Sequence, residues 1–190
     1  MRKEKKSKWG AVLVFFIAFI MISSIVGFIY SGQDNQFKYN GIKFIRTSTQ
    51  WRTTINNKQL TFDYFPSDVE QIELSNDVAT ILLNKPEIDT TSELNDTFSE
   101  EIALANYNMA LTLNKLNIYV MGGFTTNNTF NLPILTCKDA TQAVPIVYFK
   151  QSNQTKITIE NNCIIAEAKN NMDILRIKDR LLYSMLGITK

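Results

Sequence analysis

No histidine occurs among the 190 residues, which removes the imidazole base of Ser-His-Asp and Cys-His hydrolases, His-ligated zinc, haem with a proximal His and an imidazole pH switch. Acid-base chemistry would have to rest on carboxylates. The densest set, Asp63, Asp68, Glu70 and Glu73, lies within FDYFPSDVEQIEL. Two such groups at a suitable separation could hydrolyse a glycoside, but spacing along the chain does not fix that separation, and charges near a turn are ordinarily solvated. No catalytic residue is assigned on this basis. Neither Gly-x-Gly-x-x-Gly nor a Gly-Lys-Ser/Thr phosphate loop occurs, and Gly122-Gly123 is no motif. The segment Asn84–Asp96 lacks the Asp-x-Asp-x-Asp-Gly of a calcium loop, so neither cofactor nor metal is expected.

Cys137 and Cys163 are the only cysteines. Their spacing suits neither a four-ligand zinc site nor a Cys-x-x-Cys redox pair. An even count in a chain read as facing an oxidising compartment predicts a structural disulfide, worth ~3–4 kcal/mol for a loop of this size in the chain-entropy model. Asn95, Asn127 and Asn153 head Asn-x-Thr sequons open to glycosylation in polar stretches read as loops. The aromatic residues Tyr39, Phe44, Trp51, Phe62, Tyr64 and Phe65 could form a recognition surface, but in strands such residues ordinarily pack a core.

The elements that would position these residues begin with WGAVLVFFIAFIMISSIVGFIY, residues 9–30, which carries no charge. As a helix it is long enough for one bilayer crossing, with Trp9 and Tyr30 as interfacial anchors at its ends. Residues 1–8 carry five basic residues and one acidic one, so the positive-inside rule makes them a cytoplasmic tail and places residues 37–190 outside the cell membrane, after a linker at 31–36. A cleaved signal peptide has the same order but a shorter apolar core. A pilin-like leader also has it, and Lys8-Trp9-Gly10 fits that pattern loosely. After Trp9 no dense basic stripe occurs, which excludes nucleic acid as a partner; the partners expected are the lipid bilayer through residues 9–30 and a protein or envelope component of undetermined identity.

Beyond the linker, hairpins are expected around Asn40-Gly41 and Asn56-Asn57. VATILL, residues 78–83, reads as a central strand. Asn84–Asp96 reads as a loop, and Thr97 with Glu100 as a capping box opening a helix to about Leu116. A strand at Ile118–Met121, a hairpin pairing Val144–Lys150 with Lys156–Ile159, a strand at Cys163–Ala168 and a last helix capped by Asn170, Asn171 or Asp173 and stopped at Gly187 complete the order. The fold class is α+β: an N-terminal transmembrane helix, then a mixed, mostly antiparallel sheet with two packed helices.

The run Phe37-Lys38-Tyr39-Asn40-Gly41-Ile42-Lys43-Phe44, the phrase Phe62-Asp63-Tyr64-Phe65-Pro66, the contexts Leu135-Thr136-Cys137 and Asn161-Asn162-Cys163, and a helix ending in Leu186-Gly187 resemble uncharacterised single-pass membrane-anchored proteins of small-genome archaea. The resemblance implies an archaeal cell surface and carries no activity or site residue. The function expected is a membrane-anchored extracytoplasmic binding or envelope-assembly module rather than an enzyme. A pilin-like filament subunit is the alternative, and a His-free carboxylate-dependent hydrolase the second alternative.

Overall fold

The computed structural model describes residues 8–31 and 35–189, without side chains for residues 8, 11 and 27–31. The chain divides into two compact units, Met1–Gln36 and Phe37–Lys190. The expected basic tail at 1–8 and linker at 31–36 fall largely outside the described residues, as does the side chain of Tyr30.

The first unit holds α1, Lys8–Ser31. Apolar residues occupy every side of it, and the described ones are exposed, from 44% at Val26 to 82% at Trp9. Among the described residues no helix is long and apolar enough to cross a membrane. This corrects the expected transmembrane helix at 9–30, and with it the single-pass topology and the membrane localisation drawn from it. The expectation rests on the uncharged run of residues 9–30 alone, and the described part of α1 does not carry that run to a membrane span.

The second unit is α+β. Strands β1 (Gln36–Tyr39), β2 (Ile42–Arg46), β3 (Trp51–Ile55) and β4 (Lys58–Phe62) form one sheet in that order. The expected turns are present: Asn40 and Gly41 take φ 46° and 79°, Asn56 and Asn57 φ 49° and 61°, the left-handed pair a two-residue hairpin turn requires. Pro66 ends the ladder by opening a single 3₁₀ turn, Pro66–Asp68.

The second sheet departs from expectation. It takes the order β5 (Glu73–Leu74), β9 (Lys156–Glu160), β10 (Cys163–Ala168), β8 (Ile146–Gln151), β6 (Glu87–Ser92), β7 (Tyr119–Phe124), and four of its five pairings are parallel. It is therefore not a mostly antiparallel sheet. VATILL is not a strand but a short helix, α2 (Val78–Leu82), in which Val78 and Leu82, four apart, are the buried residues. The strand lies instead in the segment expected to be a loop: β6, EIDTTS, is buried from Ile88 to Ser92. Its threonines are tolerated there because their hydroxyls donate to backbone carbonyls, Thr91 Oγ1 to Leu135 O at 2.8 Å and Thr90 Oγ1 to Met121 O at 3.4 Å. Nor do β8 and β9 pair. β9 turns through Asn161 (φ 57°) into β10, which inserts between them.

Helix α3 (Ser99–Asn114) connects β6 to the parallel β7, and α4 (Asn171–Met185) follows β10. The Thr97/Glu100 capping box does not form. Asp96 accepts the Phe98 N–H at 2.8 Å, one step ahead of the helix. Asn170 does cap α4, accepting the Asp173 N–H, and Gly187 follows its end at φ 67°. Helices α3 and α4 lie between the two sheets. On one side they meet Val147, Phe149, Ile164 and Ala166, and on the other Phe44, Leu60 and Phe62. Because both faces of α4 are covered, even Lys178, Asp179 and Arg180 are buried.

Candidate functional site

The acidic set near Pro66 does not converge. Asp68, Glu70 and Glu73 are exposed, and Glu70 accepts the Tyr39 hydroxyl. Asp63 turns inward to α4. The Lys178 ammonium, 1% exposed, donates to Asp63 Oδ2 at 2.7 Å and to Asp179 Oδ1 at 2.5 Å. The other oxygen of Asp179 accepts the backbone N–H groups of Asp63 and Tyr64 at 2.8 and 2.7 Å. Gln50 and Asn108 complete the shell of Asp63 at 3.2 and 3.1 Å. Burial works against the charge on both Lys178 and Asp63, but each is overruled by its partner. The two carboxylates hold the lysine above its ordinary pKa, and the ammonium with its neighbouring donors holds Asp63 below the usual carboxylate range. A lysine held charged is no nucleophile and an acid held ionised is no proton donor. This cluster joins α4 to the β4 turn.

The aromatic residues form core, as their strand context predicts. Phe62 stacks on Tyr183 with centroids 4.3 Å apart, and Phe65 meets Phe44 at 5.3 Å and Trp51 at 4.7 Å. The Tyr183 hydroxyl donates to Tyr64 O at 2.6 Å. Cys137 and Cys163 form a disulfide with Cα atoms 5.2 Å apart, on the face of the second sheet away from the helices, beside Ile146 and Ile165. Asn95, Asn127 and Asn153 are all exposed. Trp9 is exposed on α1.

Strand β6 carries the features that sequence reasoning passed over. Asp89, 5% exposed, has one carboxylate oxygen without a partner; burial, then the charge of Glu87, pushes its pKa up to about 6. At the carboxyl ends of β6 and β8, where ligands often settle in parallel sheets, the β6–α3 loop fills the space. Asp96 accepts the Gln151 N–H at 3.0 Å and Glu93 accepts the Tyr148 hydroxyl at 3.0 Å. Burial and that bond to Glu93 raise Tyr148 to about 12. One space stays open, a cleft of about 470 Å³ between the first turns of α3 and the carboxyl ends of β6 and β7. Among the described residues no group of three or more acidic or cysteine side chains could hold a metal.

The signals for these positions were slight. Lys178 falls on the apolar stripe of α4, four residues after Ile174, which marks a lysine in need of buried partners. Ser92 carries no signal in a segment whose polar residues read as a loop, and Gly122 reads only as half of a Gly-Gly pair that loosens a strand. No protein-family model, curated protein or solved structure matches the chain.

Proposed function

We propose that this chain is a binding or assembly module in which α1 is the assembly element and the α+β unit is the part presented to partners. The observation that carries the reading is the all-round exposure of apolar side chains on α1, from Trp9 to Val26. A helix apolar on a single face needs one partner surface. One that is apolar on every side is stable in water only when surrounded. The same observation favours the filament-subunit form of this reading, in which α1 helices of several copies bundle and each covers its neighbours. A hydrolytic reading has less support, because the best-placed carboxylate, Asp63, is committed to Lys178.

The test uses the absence of free thiols, since both cysteines are in the disulfide. A cysteine introduced on α1, as Ile17→Cys or Ile22→Cys, is the only target for a bis-maleimide crosslinker. The expected result is a covalent dimer at both positions, the largest species that one thiol per chain and a two-ended reagent can form. Monomer alone at both would overturn the reading.

A further inference from the structure

We propose that the cleft between α3 and β7 binds a small primary amine with an aromatic or branched aliphatic body. The inference is independent of α1 and stands whether or not α1 drives assembly. The cleft measures about 470 Å³, within the range of small-molecule sites. Its floor is open because of one residue. Gly122 pairs with Thr90 across β6 and β7, and a Cβ built on it would meet only Thr90 Oγ1, at an ordinary 3.7 Å. Nothing in the packing demands glycine there; its absent side chain leaves the space. Neighbouring Gly123 is the contrast, since a Cβ on it would lie 2.6 Å from Pro133 O.

The walls are apolar, with Ile102 of α3 on one side and Phe124 on the other. At the mouth stand Phe130 and Leu132, 65% and 45% exposed. Their loop is held in place by Asn128, whose Oδ1 accepts the N–H groups of Phe130 and Leu132 and whose Nδ2 donates to Leu132 O at 2.9 Å. Phe130 tilts against Phe124 with centroids 6.0 Å apart. Apolar side chains fixed in this exposed position await an apolar ligand body.

Three polar groups define the head of the ligand. Ser92, at the carboxyl end of β6, is 4% exposed, lines the cleft and has no side-chain hydrogen bond to any described residue. In the same lining Asn106 Oδ1 is a buried oxygen without a hydrogen-bond partner, the feature expected where a ligand supplies the donor. Glu100, in the first turn of α3, is the charged group of the lining. The amino end of a helix ordinarily draws anions, but Glu100 in the cleft, with Glu101 beside it in that turn, reverses the preference toward a cation. Such an amine could donate to both the Ser92 hydroxyl and the Glu100 carboxylate.

The experiment is ligand-observed saturation-transfer NMR on the full-length chain with 2-phenylethylamine, against 3-phenylpropionate as the anion of similar shape. The amine is expected to bind at least tenfold more tightly than the anion. Gly122→Val fills the floor with a residue suited to a strand and is expected to weaken the amine at least tenfold at an unchanged melting temperature. Ser92→Ala and Glu100→Gln are each expected to weaken it severalfold, and they keep the test intact should Gly122→Val fail to fold. Equal binding of amine and anion, no binding of the amine, or amine binding indifferent to all folded variants would overturn the proposal.

Discussion

At the scale of single residues, the buried charges matter most. Lys178 sits between Asp63 and Asp179 with almost no access to water, so removing it leaves two carboxylates facing each other. Lys178→Met should cost about 3–5 kcal/mol in denaturant unfolding, the usual penalty for orphaning a buried charge; a loss below 1 kcal/mol would mean that the cluster is not buried as described. The raised pKa of Lys178 and the lowered one of Asp63 set where this stabilisation disappears. The Lys178 part is present below the ordinary lysine value and lost as pH rises through the raised one. The Asp63 part is present above the ordinary carboxylate value and lost as pH falls through the lowered one. Asp89 has the opposite sign for an acid. Its pKa of about 6, against an ordinary 3.8, means that the fold prefers it protonated, so stability declines as pH rises from 3.8 to about 6. Asp89→Asn should therefore stabilise the protein at pH 7 and flatten the pH dependence of its melting temperature across that window. Unchanged profiles would show that Asp89 is solvated.

At the scale of elements, local chemistry was legible where it acts alone. Asn40-Gly41 and Asn56-Asn57 adopt left-handed backbone because their turns require it, and Asn170 and Gly187 bound α4 as their types dictate. Loss of that cap in Asn170→Ala should cost ~1 kcal/mol, measured by thermal unfolding. The failures lie where tertiary context decides. Val78 and Leu82 satisfy a strand run and a helix face equally well, and a short apolar run does not choose between them. β6 reads as polar because its threonine and serine side chains hide their hydroxyls in backbone bonds or turn them to a cleft, which no alternation pattern records. The disulfide was legible from cysteine count. Replacing both cysteines by alanine should lower stability by about 3–4 kcal/mol in the chain-entropy model; an unchanged unfolding midpoint would contradict it.

At the scale of the molecule, a single-domain α+β unit with its own core, Phe37–Lys190, is joined to a helix that offers its apolar surface in every direction. The apolar character of residues 9–30 was plain in the sequence, but composition alone did not say what surrounds it. The open cleft is invisible there, because it depends on Gly122, Ser92 and Glu100 meeting through a crossover whose first strand, by its polar sequence, reads as a loop. Assembly through α1 predicts that polar residues placed around the helix will disperse the protein. Phe15→Glu with Phe19→Glu should shift the species toward single chains without altering the melting temperature of the α+β unit.

The most direct measurement of the central claim is sedimentation velocity of the full-length chain in detergent-free buffer at micromolar concentration. The account predicts species of several copies that fall apart on dilution or on the Phe15→Glu, Phe19→Glu substitution. A single monomeric boundary at the 21.8 kDa of one chain, with α1 intact, would contradict it.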